Sequence, residues 1–145
     1  MQKKRINSFM LALIIFLCFN PIASATTNGI QASQYLSRYV AYIYPEGNGD
    51  MSIWFEVQGT ETMDEIGVLS IRLQVKSSNS PTWTTIETYN HIDYPNLLGY
   101  DDNFYYSNVN YSGKEGYSYR ASITIWAGKY GDGDSRVILT DAVIA

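Results

Sequence analysis

Hydrophobic and polar side chains alternate along most of the chain after residue 38. The segment MSIWFEVQ (51–58) places Met, Ile, Phe and Val on one face and Ser, Trp, Glu and Gln on the other. The segments LSIRLQVK (69–76) and YRASITIW (119–126) repeat this period of two. Such alternation is typical of half-buried antiparallel strands, whose apolar face packs on a core. We therefore predict three strands with known inward faces.

Four further segments have strand composition: 38–44, 83–89, 104–111 and 135–145. Gly, Asn, Asp and Pro separate them, which is the usual sign of turns. Seven short strands in about 110 residues predict an all-β fold, a seven-stranded antiparallel β-sandwich of the immunoglobulin or fibronectin type III kind. In such a fold Tyr117 would be the tyrosine corner and Tyr119 a core residue. The alternative is that Tyr117 is an ordinary strand aromatic.

The N-terminal residues have the three parts of a secretory signal peptide. A basic start (KKR, 3–5) precedes an apolar run at 9–19, and ASA at 23–25 follows it. This pattern predicts cleavage after Ala25 and a secreted, extracellular protein. The apolar run is about half of the ~20 residues that span a bilayer, so we expect no membrane insertion of the mature chain. The predicted organisation is a signal peptide (1–25), a flexible N-terminal segment (26–37) and a β-sandwich domain (38–145).

Charge and composition make several function classes improbable. Without residues 1–25 the chain keeps seven basic and fourteen acidic residues, a formal charge of −7. A negative surface opposes binding to nucleic acid and to anionic lipid. Cys18 is the only cysteine and lies in the segment to be removed, so the mature chain offers no thiol and no disulfide. His91 is the only histidine, so the mature chain lacks the His and Cys ligands of a usual zinc site, and a Ser-His-Asp triad would have to use this one residue. We predict a protein that is not an enzyme and holds no cofactor, with calcium as the one weak exception.

The calcium hypothesis rests on two acidic segments. AGKYGDGDSR (127–136) is a turn between the last two strands, and GTETMDE (59–65) would be a loop at the same end of a sandwich. Calcium takes six to eight oxygen ligands, which two adjoining loops can supply. A plain hairpin with Gly131 and Gly133 at positive φ explains the first segment equally well and is the preferred interpretation. The candidate calcium ligands are Glu61, Asp64, Glu65, Asp132 and Asp134.

Aromatic residues are the main sign of a binding function. Alternation places Trp54 and Trp126 on outward faces, and residues 90–103 form a long connection of the kind that often carries function. Exposed rings beside Asp and Asn side chains can stack on the C–H faces of sugars and bond to their hydroxyl groups. The opposing interpretation is that the rings pack on cross-strand neighbours. The candidate ligand-binding residues are Trp126, Tyr130, Tyr94, Tyr100 and Asp101.

Three segments carry a resemblance to a known family. YIYPEGNGDMSIWFEVQGTETMDEIGVLSIRLQ, WTTIETYNHIDYPNLLGY and AGKYGDGDSR resemble recurring segments of small secreted Gram-positive bacterial proteins, catalogued as a domain of unknown function. The resemblance extends from about residue 39 to residue 136. It implies a Gram-positive bacterium and the cell surface as context, and it implies no activity.

These observations predict a secreted, non-catalytic domain that recognises glycan, cell wall or another protein through its end loops and exposed aromatic residues. The alternative is a structural, self-assembling extracellular protein whose edge strands and aromatic residues pair between copies. A third hypothesis is a small glycan hydrolase, because two suitably spaced carboxylates suffice for that reaction.

Overall fold

The structure, a computed structural model, describes residues 33–145 and is built almost entirely of β-strands. The predicted signal peptide, its cleavage site and residues 26–32 lie outside the described residues. All strand pairs are antiparallel and belong to one curled, seven-stranded sheet, which confirms the all-β antiparallel prediction. The elements are β1 (Leu36–Gly47), β2 (Asp50–Lys76), β3 (Thr84–Asn90), a 3-10 helix (Pro95–Leu97), β4 (Leu98–Ser112), β5 (Ser118–Lys129), β6 (Asp132–Leu139) and β7 (Val143–Ile144).

The long strand β2 organises the sheet. Its first half pairs with β1 on one side and with β4 on the other. Its second half pairs with β5 on one side, and on the other with the start of β4 and then with β3. β6 continues the sheet beyond β5. The predicted strands 51–58 and 69–76 are therefore parts of one element. The prediction of a loop at residues 59–65 is wrong, because these residues lie within β2.

A register shift explains why residues 59–65 look like a loop in the sequence. The pairing of β2 with β4 shifts between Gln58 and Met63, so extra residues on β2 bulge outward. Residues 60–62 are exposed, whereas Met63 is fully buried and returns the strand to the core. A polar stretch that resembles a loop is thus accommodated in a bulge without ending the strand.

The core lies between the two halves of β2 and the inner face of β5. The predicted inward residues of 51–58 and 119–126 are all buried, and the other residues of these segments are less so, apart from Ser52. In 69–76, Leu69 is only half-buried, because a second register shift between Val68 and Ser70 places Val68 in the core instead. The confirmed core residues are Met51, Ile53, Phe55, Val57, Ile71, Leu73, Tyr119, Ala121, Ile123 and Ile125.

The number of strands agrees with the prediction for a different reason. Two predicted strands merge into β2, while the predicted last strand, 135–145, is divided between β6 and β7. The immunoglobulin or fibronectin type III sandwich is not confirmed, because the strands form a single curled sheet. The long connection at 90–103 is also shorter than predicted, since β4 already begins at Leu98.

Tyr119, and not Tyr117, makes the backbone hydrogen bonds typical of a tyrosine corner. The Tyr119 hydroxyl accepts a bond from the backbone N–H of Lys114 at 2.7 Å and donates one to the carbonyl of the same residue at 3.4 Å. Its ring is buried, as predicted. The Tyr117 ring instead faces the Lys114 ammonium group, whose nitrogen lies 5.0 Å from the ring centre.

In each tight hairpin the two residues that connect the strands have positive φ, as type I′ turns require. Tyr130 and Gly131 (φ 57° and 81°) connect β5 to β6, and Asn48 and Gly49 (φ 55° and 84°) connect β1 to β2. The plain-hairpin prediction for the 127–136 segment is confirmed, but the position of one residue is wrong. Tyr130 has the positive φ that was expected of Gly133, which lies in β6.

Candidate functional site

An open cavity of about 290 Å³ lies where β5 and β6 approach the middle of β2. The strand register brings its residues together, because Glu65 pairs with Gly128 and Lys129 pairs with Asp132. Four residues predicted from the sequence therefore share one site, which we call the Trp126 cavity. Its lining residues are Asp64, Glu65, Trp126, Gly128, Lys129, Gly131 and Asp132.

The indole of Trp126 lies over two glycines. A Cβ atom added to Gly133 would lie 2.5 Å from the indole Cη2, and one added to Gly128 would lie 2.6 Å from Cζ2. Real Cβ atoms do not approach other atoms so closely, so only glycine at both positions leaves room for the ring. The indole Nε1 donates a hydrogen bond to Glu65 Oε2 at 3.1 Å, which fixes the orientation of the ring. The half-buried Trp126 is thus held against the sheet by shape and by one directional bond.

The carboxylates on the β2 side of the cavity are tied to the β5–β6 hairpin. Asp64 Oδ2 accepts a bond of 2.7 Å from the backbone N–H of Tyr130. The ammonium group of Lys129 lies 2.7 Å from Glu61 Oε2, and this bond raises the pKa of the lysine. These contacts join the bulge of β2 to the hairpin and explain why the cavity has a defined shape.

The aspartates of β6 bind the residues that precede β1. Asp134 Oδ2 accepts hydrogen bonds from the Ser33 hydroxyl at 2.6 Å and from the backbone N–H of Tyr35 at 3.0 Å. These two bonds lower the pKa of the Asp134 carboxyl, the serine bond being the larger cause. Asp132 Oδ2 accepts a longer bond, 3.3 Å, from the Tyr35 hydroxyl. Part of the predicted flexible segment, residues 33–37, is thus in contact with the sheet.

The five predicted calcium ligands do not form a ligand set. Across residues 33–145, no three His, Cys, Asp or Glu side chains are grouped so that they could hold a metal ion together. Glu61, Asp64, Glu65 and Asp134 each already accept a bond from a protein group. Calcium binding stays a prediction without a preformed site.

The remaining predicted ligand residues are placed unevenly around the cavity. Tyr130, 87% exposed, lies at the tip of the hairpin, and Tyr100, 61% exposed, is paired with Glu65 from the β4 side. Asp101 is exposed next to Tyr100, with a φ of 54°. Tyr94 does not join them. Its ring packs edge-on against Tyr89, which pairs with Ile71, six residues along β2 from Glu65 and therefore roughly 20 Å away.

A second surface, which the sequence did not reveal as a site, covers the outer face of β1, β4 and the first half of β2. Residues that pair directly in an antiparallel sheet point to the same face, so the register groups five outward rings. We call this surface the aromatic face. It consists of Tyr42, Tyr44, Trp54, Phe104 and Tyr106, of which Tyr44, Phe104 and Tyr106 are 53%, 39% and 61% exposed.

Two features of the sequence concealed the aromatic face. Alternation does place Trp54 outward, as predicted, but it gives no register, so its neighbours on β1 and β4 could not be named. In the segment 104–111 both faces carry tyrosines, because Tyr105 and Tyr111 pack on the core while Tyr106 points outward. The period of two is therefore weak in hydrophobicity, although it is clear in the structure.

No helix within residues 33–145 has the length and apolar character needed to cross a membrane. No protein-family model and no curated protein matches the chain. The resemblance to a Gram-positive family therefore stays a prediction. Among solved structures, the chain is similar to a family 76 glycoside hydrolase from a bovine Bacteroides thetaiotaomicron strain, with a TM-score of 0.33 and 16% identity. That likeness covers 77% of this chain and 20% of the hydrolase, and it is too weak to bear on fold or function.

Proposed function

We propose that the protein is a secreted, non-catalytic domain that binds an extracellular glycan in the Trp126 cavity. The observation that supports this best is the position of the indole, which lies over Gly128 and Gly133 and lines an open cavity. Aromatic faces carry partial negative charge and attract the weakly positive C–H groups on a sugar ring. A ring already fixed by Glu65 loses little conformational freedom when a ligand stacks on it.

Polar groups around the ring suit the hydroxyl groups of a sugar. Asp64 and Asp132 line the cavity, and carboxylate oxygens accept hydrogen bonds from ligand hydroxyl groups. The volume of about 290 Å³ is near the lower limit of the ~300–1,000 Å³ typical of small-molecule sites. The cavity therefore suits a short part of a glycan, with the rest of the ligand outside.

The extracellular location in this proposal rests on the predicted signal peptide at residues 1–25. The finer fold class, an immunoglobulin or fibronectin type III sandwich, stays a prediction as well. Glycan binding does not depend on it, because the cavity is built by the local register of β2, β5 and β6.

The test is co-sedimentation of the purified protein with Gram-positive cell walls. We expect Trp126→Ala to weaken binding at least about tenfold, which is the usual effect of removing a central aromatic anchor. Trp83→Ala is the matched control. Trp83 lies between Lys76 and Arg120, 5.0 Å and 4.3 Å from its ring centre, at the far end of β2 and β5.

Two outcomes would contradict the proposal. Equal binding by Trp126→Ala and the unchanged protein would remove the cavity from wall recognition, and binding lost on adding a chelator would favour the calcium hypothesis.

Sedimentation velocity on the same samples tests the alternative of a self-assembling protein. The exposed Val137 and Leu139 (64% and 54%) on β6 favour that alternative. Within residues 33–145, β6 pairs only with β5.

A further inference from the structure

The aromatic face is separate from the Trp126 cavity, because it belongs to the other half of β2. Three of its rings lie on a diagonal across three strands. Tyr44 pairs with Ser52, Trp54 follows two residues later on β2, and Tyr106 pairs with Glu56 a further two residues along. Each diagonal step in a sheet is about 7–8 Å, so the three rings extend over about 15 Å. This length exceeds one sugar unit and suits an extended chain.

A polar network lies beside the diagonal. Asn108 Nδ2 donates hydrogen bonds to Ser52 Oγ at 3.1 Å and to Asn110 Oδ1 at 2.9 Å, and Ser52 Oγ donates to Asn110 Oδ1 at 2.9 Å. Ser52 is buried beneath these side chains, with 2% of its surface exposed. The network fixes both amide groups. Among residues 33–145 it uses only one polar atom of each amide, so the Asn108 Oδ1 and the Asn110 Nδ2 can accept from and donate to a ligand.

The charge of the aromatic face differs from that of the rest of the domain. Its outward positions include one basic residue, Arg38, and two acidic residues, Asp50 and Glu56, so the face has a formal charge of only −1. The chain after residue 25 carries a formal charge of −7. An uncharged partner loses no favourable charge interaction on such a face, whereas an anionic polymer would be repelled by the domain that surrounds it.

From these observations we infer that the aromatic face binds an extended, uncharged polysaccharide along the Tyr44–Trp54–Tyr106 diagonal. The rings stack on the sugars, and Asn108 and Asn110 bond to their hydroxyl groups. A second copy of the protein fits the face less well, because it would bring a second charge of −7 against the first. This binding is independent of the Trp126 cavity and can exist without it.

The test is native electrophoresis of the protein through gels that contain a polysaccharide. The probes are hydroxyethyl cellulose as the neutral polymer and polygalacturonate as the anionic one. We expect retardation by the neutral polymer alone. Tyr44→Ala and Tyr106→Ala should each weaken it roughly fivefold, the size expected for loss of one stacked ring. Because both side chains are more than half exposed, we expect these variants to fold normally.

The control variants separate this face from the Trp126 cavity. Tyr106→Phe keeps the ring and should keep the retardation, and Trp126→Ala should leave it unchanged. Retardation lost only in Trp126→Ala would overturn the inference and would support the proposed function. Migration unaffected by hydroxyethyl cellulose, or retarded by polygalacturonate alone, would also overturn it. So would a dimer in sedimentation velocity that Tyr106→Ala converts to a monomer, because the face would then be a contact between copies.

Discussion

Trp126 and Trp54 point outward from the same sheet, but they lie in opposite surroundings. Trp126 rests on glycines in a cavity lined by three carboxylates and one ammonium group, and Nε1 of its indole is bonded to Glu65. Trp54 stands among tyrosines on a surface with few charges, beside a network of amides and one hydroxyl. The first site is concave and ionic, and the second is broad and carries few charges.

This difference shows that the neighbouring residues in the sheet, and not the tryptophan itself, give each site its character. Small neighbours, Gly128 and Gly133, let the indole of Trp126 lie against the sheet and leave space above it. Large neighbours surround Trp54, which therefore becomes part of a continuous surface. A narrow recess and an extended platform call for different ligands, so the two regions can be altered separately.

The largest expected effect comes from filling the space below Trp126. Gly133→Ala places a methyl group 2.5 Å from the indole Cη2 and 2.7 Å from the carbonyl oxygen of Ala127, so the ring must leave its position. We expect more than tenfold weaker wall binding and up to about 3 kcal/mol lower free energy of unfolding, the upper range for overpacking. Co-sedimentation and urea unfolding measure the two effects.

Ser135→Ala is the control for this substitution. Ser135 lies in β6, as Gly133 does, and it pairs directly with Trp126 of β5, but the change removes an atom instead of adding one. Retardation by hydroxyethyl cellulose should persist in both variants. If Gly133→Ala also abolished that retardation, the two regions would not be independent and the comparison would fail.

The local pattern of the sequence was sufficient to predict the strands and their inward faces. Alternation identified the buried residues of 51–58 and 119–126 correctly, because a half-buried strand leaves a period of two wherever one face is covered. It failed where a bulge changes the period. Gly59 to Thr62 resemble a loop, and Leu69 resembles a core residue, because the sequence does not record the register shifts beside them.

The sites were harder to predict, because they depend on register between distant segments. Trp126, Glu65 and Asp132 were named as candidates from chemistry and topology, and the structure brings them together. The prediction for Tyr94 rests on a single long loop at 90–103, whereas β4 begins at Leu98 and the Tyr94 ring packs on Tyr89. The aromatic face was missed, since nothing in a single sequence indicates that Tyr44 and Tyr106 lie on either side of Trp54.

An intermediate effect is expected near the aromatic face at high pH. The Tyr89 hydroxyl lies 3.5 Å from the carbonyl oxygen of Asn110, and burial, followed by the nearby Glu87 carboxylate, raises its pKa to about 12. The folded state therefore favours the neutral hydroxyl, whereas a tyrosine in the unfolded chain ionises near pH 10. The contribution of neutral Tyr89 to the free energy of unfolding is complete below pH 10 and is lost as the pH rises to 12.

We expect the free energy of unfolding to fall by about 2 kcal/mol more in the unchanged protein than in Tyr89→Phe over this range. Urea unfolding at several pH values measures the difference. Tyr106→Phe, which removes one hydroxyl from an exposed ring, is the control and should retain the steeper fall. If the free energy of unfolding fell equally steeply with pH in the unchanged protein and in Tyr89→Phe, ionisation of Tyr89 would not be the cause of the loss of stability.

The smallest effect concerns acid and the side of the sheet that bears the Trp126 cavity. Hydrogen bonds from Ser33 and Tyr35 favour the ionised Asp134 and lower its pKa, so their stabilisation is complete above the ordinary pKa of about 4 and is lost as the pH falls through the lowered value. Asp134→Asn keeps an acceptor but removes the charge, and we expect it to lower the free energy of unfolding by about 1 kcal/mol at pH 7.

Urea unfolding should show that this difference in the free energy of unfolding becomes smaller at the lowest accessible pH. Amide exchange at Tyr35 should be faster in the variant at pH 7 only. Exchange in β4 beside the aromatic face should not change, because the Ser52–Asn108–Asn110 network contains no ionisable group. A deficit that is equal at both pH values would show that the charge of Asp134 does not hold residues 33–35, and acid would then no longer distinguish the two regions.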